Sequence, residues 1–311
     1  MKFRKPIFVR LRAFSGSKRS ALLAIGGMVI LVLLVLLLLA VIRPTGSQAK
    51  ATWIWETAVI ERHPAELLSF VSKQGVDTIF LQIGGEVKPE SYRSFIRAAA
   101  QEGIRVHALS GHPDWALREH RNEAETFLKW VIDFNREADP NERFAGVQLD
   151  VEPYLLDRWQ KDQAAVVEQW MEGVRTWTEE ARYNDLAIGA AVPFWLDQID
   201  HPSGTVKLAL GDWMVNQFDY LAVMAYRDAA GRIYEISQRT LREADRQNKR
   251  VWVGVELGES REGPGISFHE QPLAALNREM KRLEELGRKH GSFAGIAVHS
   301  YEAWHRKLNG P

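Results

Sequence analysis

Residues 144–154 read FAGVQLDVEPY, an apolar run that carries Asp150 and Glu152 two positions apart before Pro153 stops it. In a β-strand, residues i and i+2 point to one face, so the stretch predicts a strand whose two carboxylates project together from its C-terminal end. Carboxylates are costly to bury unless they are paired or hydrogen-bonded, which favours a working role for these acids over a place in a purely structural strand. The structural alternative is that they cap a helix beginning near Leu155.

Seven further runs of the same kind flank this one. Three precede it, at residues 52–55, 78–83 and 105–110, and four follow, at 186–193, 220–226, 251–257 and 295–299. Helix-like segments separate them. One starts at Pro64, a residue suited to the first helical position, and stops at Gly75; another spans about 90–102 and is closed by Gly103. A long one runs through Trp130 and Phe134 until Asp139, Pro140 and Asn141 break it, and others cover 156–182, about 234–247 and about 273–290. In 156–182, Val166, Val167, Trp170, Val174 and Trp177 recur at the three- and four-residue spacing of one apolar helix face, so these tryptophans read as core. Residues 196–217 contain Asp200-His201-Pro202-Ser203-Gly204 and read as a long connection.

Eight strand-like runs, each but the last followed by a helix, predict an α/β fold of the (β/α)8 TIM-barrel type, whose usual size is about 250 residues. A doubly wound open sheet is the alternative. No glycine-rich dinucleotide fingerprint follows the first run and no phosphate-binding P-loop occurs, so no cofactor is expected.

The chain carries 40 basic and 40 acidic residues, but not evenly. Residues 1–50 hold nine Lys or Arg and no acid, which leaves 31 basic against 40 acidic residues in the remainder, a net of −9. An acidic domain without a clustered basic face argues against a nucleic-acid partner. The absence of cysteine excludes disulfides, thiolate metal sites and cysteine nucleophiles. Residues 21–42 pass 22 positions without a charge, enough at about 1.5 Å per residue to span a hydrocarbon core of about 30 Å. The expected organisation is a basic cytoplasmic tail over 1–20, a transmembrane helix over 21–42, a stem over 43–50 and the barrel over 51–311. Seven of the nine basic residues precede the apolar run, so the positive-inside rule sends the barrel across the membrane. A cleaved signal peptide, with Ser47 and Ala49 as small residues at the cut, is the competing reading.

Barrel active sites lie at the C-terminal ends of the strands. The ends of the eight runs supply Trp55 and Glu56, Gln82, Ser110 and His112, then Asp150, Glu152 and Tyr154. The later runs add Phe194 and Trp195; Met224, Tyr226, Arg227 and Asp228; Glu256 and Glu259; and His299, Tyr301 and Trp304. Acids, aromatics and hydrogen-bonding groups without a lysine suit a sugar. Its C–H faces need aromatic surfaces, its hydroxyls need polar partners and its leaving oxygen needs an acid. An oligosaccharide or polysaccharide is therefore the expected partner, with Glu152 and Asp150 as the catalytic pair and Tyr226 and Glu256 beside them at the strand ends. Trp55, Gln82, His112, Trp195, Met224, Asp228, His299 and Tyr301 are the candidates for binding it. Trp195 and Trp304 can also be read as packing, and Met224 and Tyr226 as closure of the barrel core.

LDVEPY at the end of the fourth run and MAY at the end of the sixth resemble glycoside hydrolase family 18, the chitinase-like barrels. Asp150 and Glu152 match the family's closing Asp-x-Glu, and Met224 and Tyr226 its Met-x-Tyr. The resemblance implies that Glu152 is the general acid, that Asp150 orients a 2-acetamido group whose carbonyl is the internal nucleophile, and that Tyr226 hydrogen-bonds that group. Ala145 and Gln148 stand where the family has two earlier acids, and Arg227 follows Tyr226 where it often has Asp. Clan A retaining glycosidases are similar in another way, with an acid/base Glu after the fourth strand and a nucleophilic Glu at the end of the seventh. In this chain those positions are Glu152 and Glu256, although Val151 replaces the clan's Asn. Three other readings stay open. Glu256 could hold an arginine such as Arg227, the barrel could bind or scaffold glycans without cleaving them, and His112 with His299 could serve a metal-assisted deacetylase. No two histidines share one element at metal-ligand spacing, so no metal is expected.

Overall fold

A computed structural model describes residues 49–200 and 208–310. The expected basic tail, the membrane helix over 21–42, most of the stem and His201 to Gly204 lie outside the described residues. Among the described residues no helix is long and apolar enough to cross a membrane.

Eight parallel strands close into a barrel in sequence order, β8 pairing with β1. They are β1 (Lys50–Ile54), β2 (Val76–Gln82), β3 (Arg105–Ser110), β4 (Gly146–Leu149), β5 (Ile188–Pro193), β6 (Tyr220–Met224), β7 (Arg250–Glu256) and β8 (Phe293–His299). The main helices are α1 (Pro64–Lys73), α2 (Pro89–Gln101), α3 (Arg121–Glu137), α4 (Gln163–Tyr183), α5 (Leu210–Gln217), α6 (Ala230–Gln247), α7 (Leu273–Gly287) and α8 (Tyr301–Asn309). All eight expected strands are present, and the open-sheet alternative is excluded by the β1–β8 pairing.

Three expectations are corrected. β1 begins at Lys50, two residues before the apolar run, because the ladder with β2 and β8 recruits polar Lys50 as well. The connection over 196–217 contains a 3₁₀ turn, Phe194–Gln198, and the helix α5, whose Leu210, Trp213, Met214 and Val215 are buried. The eighth strand is followed by a helix after all, since Tyr301, Ala303 and Trp304 bury one face of α8.

Helix starts and faces follow local chemistry. Pro64 and Pro89 open α1 and α2, and Tyr92, Phe95, Ile96 and Ala99 form the buried stripe of α2 at helical spacing. The 156–182 segment divides in two, because Asp162 leaves helical geometry and its carboxylate accepts a hydrogen bond from the Ala165 amide (3.1 Å), capping α4. Trp170 and Trp177 are buried in the layer between sheet and helices, as their spacing predicts.

Inside the barrel the packing is aromatic. Phe80 lies against Trp53 (ring centroids 5.2 Å apart), Tyr220 (6.0 Å, stacked) and Trp252 (6.5 Å, edge-on). Tyr220 donates its hydroxyl hydrogen to the Val147 carbonyl (2.9 Å) and lies 2.8 Å from Nδ1 of buried His107. Burial and nearby Arg105 push the His107 pKa down to about 3, so this ring stays neutral. Gly189 makes room for the plug, since a Cβ there would stand 2.3 Å from the Tyr220 ring. Phe80 is the hub of this layer, so Phe80→Ala should cost about 3–5 kcal/mol, seen as a lower urea midpoint with an unchanged slope.

Candidate functional site

The fourth strand ends sooner than its sequence suggests. The Asp150 amide still donates to the Ser110 carbonyl (3.0 Å), extending the ladder by one residue. The chain then leaves extended geometry, with Glu152 at φ −114°, ψ 68°, and Pro153 opens a 3₁₀ turn over Pro153–Leu155. Asp150 and Glu152 thus sit just beyond β4, on irregular backbone, and not on one regular strand. Both still face the barrel mouth, where they line the same cavity. Glu152 caps nothing with its side chain, which removes the helix-capping alternative for that residue. Gly111 lets the segment after β3 press against this turn, because a Cβ there would fall 1.9 Å from the Asp150 carbonyl oxygen.

The cavity measures about 380 Å³. Asp150, Glu152 and Tyr154 form one wall, Phe194 and Trp195 continue it after β5, and Met224, Tyr226 and Arg227 enter from the end of β6. Trp55 and His299 close the side where β1 meets β8, and Glu262 reaches in from the loop after β7. Tyr154 donates its hydroxyl hydrogen to Glu152 Oε2, and its ring meets Trp195 edge-on at 5.0 Å. Burial, reinforced by Glu152, raises the Tyr154 pKa, so the phenol remains a donor.

Asp150 is the electrostatically costly member. Its Oδ1 is shut off from solvent without a hydrogen-bond partner. Burial first, and the neighbouring Glu152 second, push its pKa up to about 7, while His299 pulls the other way. Directly before it in β4's inward row, Gln148 is fully buried with neither amide atom paired. Tyr226 is likewise held as a neutral phenol, by burial and then by Glu256, Asp150 and Glu152.

Glu256 does not line the cavity. Its Oε2 lies 2.6 Å from His299 Nδ1, and its Oε1 accepts a hydrogen bond from the Gly258 amide (2.5 Å). A histidine, and not the arginine of the alternative reading, holds Glu256. Arg227 donates instead to the Tyr226 carbonyl (2.6 Å) and stacks over Phe194 at 5.1 Å.

Of the residues expected to bind substrate, Trp55, Trp195, Met224 and His299 line the cavity, and Gln82, His112, Asp228 and Tyr301 do not. His112 turns back to accept a hydrogen bond from the Asp114 amide (3.3 Å). Asp228 holds Gln271 (3.1 Å) and pairs with Arg232. Tyr301 and Trp304 pack on Phe70 behind the sheet, because α8 turns their side chains away from the mouth. Gln82 donates to the neighbouring Ile83 carbonyl (3.3 Å). Sequence reasoning missed Glu262, whose only local signal is the turn-forming Gly263-Pro264-Gly265 beside it. It also missed Glu302, which accepts hydrogen bonds from the Trp55 and Glu56 amides (2.8 and 3.0 Å) and fixes the loop after β1.

Known structures share this architecture. A chitinase from Bacteroides thetaiotaomicron superposes with a TM-score of 0.52 at 12% identity, over 83% of this chain and 91% of that one. A chitinase from Chromobacterium violaceum gives 0.52 at 12% identity, over 85% and 99%. The spore cortex-lytic enzyme SleL of Bacillus megaterium gives 0.50 at 9% identity, over 82% and 71%. The chain therefore has the fold of the chitinase-like barrels, at a distance in sequence. No family model matches it, and no curated protein is significantly similar to it.

The Asp150 carboxyl makes stability depend on pH. A folded-state pKa raised from 3.8 to about 7 means that folding favours the protonated acid. Its contribution is complete below about pH 4 and is lost as pH rises through 7. Asp150→Asn should therefore leave stability nearly unchanged at pH 4 and raise it at pH 8 by on the order of 2 kcal/mol or more, measured by denaturant unfolding at both values.

Proposed function

We propose that this protein is a glycoside hydrolase that cleaves a polysaccharide containing β-linked N-acetylated amino sugars, with Glu152 as the general acid and the substrate's own acetamido group as the nucleophile. One observation carries the choice of mechanism. Asp150, Glu152 and Tyr226 share one cavity, whereas both oxygens of Glu256 are committed to His299 and the Gly258 amide behind the wall. A retaining mechanism through two carboxylates needs a second free carboxylate about 5 to 5.5 Å from the acid, and Glu256 is not offered to the cavity for that role. A sugar amide has suitable partners in the Asp150 carboxyl and the Tyr226 hydroxyl.

The steps follow from these groups. The sugar packs against the aromatic wall of Trp55, Trp195 and Tyr226, with the glycosidic oxygen toward Glu152. Glu152 gives its proton to that oxygen, and the Tyr154 hydroxyl stabilises the carboxylate left behind. The acetamido oxygen attacks the anomeric carbon as the leaving sugar departs, forming a cyclic oxazolinium whose positive charge faces Asp150. Water, deprotonated by Glu152, then opens the ring and restores the configuration at that carbon. The chitinase fold of the similar structures supports this class of reaction.

Export of the barrel on the 21–42 segment belongs to the same proposal and rests on the 22 uncharged residues and the basic residues before them. It would bring the cavity to wall or matrix polysaccharide outside the membrane. A second reading, a barrel that binds glycans without turnover, is favoured by neutral Gln148 where the resembling family carries an acid.

Glu152→Gln separates the two readings. Under the hydrolase reading it lowers turnover of N-acetylglucosamine oligomers by about 10²–10⁴-fold, by reducing-end release, and changes their calorimetric affinity by only about two-fold. A parent protein that binds these oligomers and releases no reducing ends supports the binding reading.

A further inference from the structure

Trp55 lines the cavity at the seam where β1 meets β8, and it is held at two points. Its backbone amide, together with that of Glu56, donates to Glu302 Oε1 of α8 (2.8 and 3.0 Å). Its indole N–H donates to Nε2 of His299 at the end of β8 (3.0 Å). An indole nitrogen can only donate, so Nε2 is the accepting, unprotonated nitrogen. Nδ1 therefore carries the ring hydrogen and gives it to Glu256 Oε2 (2.6 Å). Glu256 is the register partner of His299 on β7 and is itself fixed by the Gly258 amide (2.5 Å).

This chain of bonds works in one tautomer only. A carboxylate at Nδ1 selects the Nδ1–H form, which leaves the Nε2 lone pair for the indole. In the other tautomer Nε2–H would face the Trp55 N–H donor to donor. The same clash follows when the ring takes a second proton, because an imidazolium donates from both nitrogens. The charged or titratable groups that face the ring are Glu256 from β7, Asp150 beyond β4, Glu302 from α8 and Tyr226 beyond β6, whose ring centroid is 5.8 Å away. From β1, the apolar ring of Trp53 packs edge-on at 5.6 Å. Burial opposes the imidazolium, but the hydrogen bond and charge of Glu256, followed by the charges of Asp150 and Glu302, outweigh it and raise the His299 pKa above its ordinary value. The ring is thus neutral while it holds Trp55, and the acids around it favour the proton that would break that hold.

We propose that Glu256 and His299 are positioning residues for a sugar platform: Glu256 fixes the tautomer of His299, His299 fixes the plane of the Trp55 indole, and the indole receives the sugar only while Nε2 is unprotonated. No bond of the substrate is made or broken by either residue. The acid at the end of β7 thereby has a task in binding, in place of a nucleophile's. Acidification should weaken binding rather than the chemical step, so that KM rises as the ring takes its proton. The inference rests on the reading of Trp55 as a wall for the sugar, but the Glu256–His299–Trp55 brace is measurable without substrate.

The test is an NMR titration of the full chain in detergent, with ¹⁵N-indole tryptophan and ¹³Cε1 histidine. The Trp55 and His299 signals are assigned by their loss in Trp55→Phe and His299→Gln. In the parent protein the Trp55 N–H signal should shift with the same midpoint as His299. Glu256→Gln should lower both midpoints together by about one pH unit, and Trp55→Phe should raise that of His299, since the opposing donor is gone. Calorimetric affinity for the N-acetylglucosamine tetramer, measured in Glu152→Gln, should fall about five-fold on acidification through that midpoint, the worth of one hydrogen bond. The fall should be absent when Trp55→Phe is added. A Trp55 signal that stays still while His299 titrates overturns the brace, and a fall in affinity that persists with Trp55→Phe overturns the platform. Signals that titrate together in a protein that binds no tetramer at any pH remove the sugar reading and leave the brace standing.

Discussion

The hydrogen bond from Trp55 to His299 spans the seam where the last strand meets the first, and the mouth of the barrel depends on that closure. In the open-sheet alternative β1 and β8 would not pair, and Trp55, Glu302 and His299 would have no reason to meet. Because the sheet closes, α8 can send Glu302 across to the loop after β1, and β8 can present His299 to Trp55. The imidazole then passes the connection on to Glu256. These contacts fix one side of the cavity as a rigid chain of donors and acceptors. Asp150, Glu152 and Tyr154 form the other side.

The depth of the cavity comes from the plug below it. Phe80, Trp53, Tyr220 and Trp252 fill the barrel's interior, with Gly189 yielding its side-chain volume to Tyr220. Interiors are packed to near crystal density, so the space left at the mouth is bounded from beneath by aromatic surface. Trp53 belongs to both regions, as part of the plug and of the cavity lining. The acids placed above this floor are poorly hydrated. Burial there raises the Asp150 pKa.

The fold was legible because its signal is repeated. Eight short apolar runs separated by helices with proline starts and glycine stops point to one architecture, and an error in any single run does not change it. Asp150 and Glu152 were legible as a pair for a local reason, two acids at the end of an apolar strand-like run, even though regular pairing ends at Leu149. The partner of Glu256 was not legible. His299 lies 43 residues away, and only the β7–β8 register brings them side by side. Tyr301 and Trp304 were misread as mouth residues because two or five positions past a strand end say nothing of direction once a helix begins at Tyr301 and turns both inward against Phe70. Glu262 sits in a loop of 16 residues between β7 and α7, whose path no periodicity encodes.

Gln148, not an acid, lies next to Asp150 along β4, and Glu256 is bound to a histidine and does not line the cavity. Under the proposed mechanism the nucleophile lies in the substrate and the balancing charge on Asp150. The most direct measurement compares a β-linked N-acetylglucosamine oligomer with its 2-hydroxy counterpart, following the first-formed products by proton NMR. The account predicts release of the β-anomer from the acetamido substrate and no cleavage of the 2-hydroxy one. Comparable cleavage of both, or a sugar found covalently attached to Glu256, would contradict it.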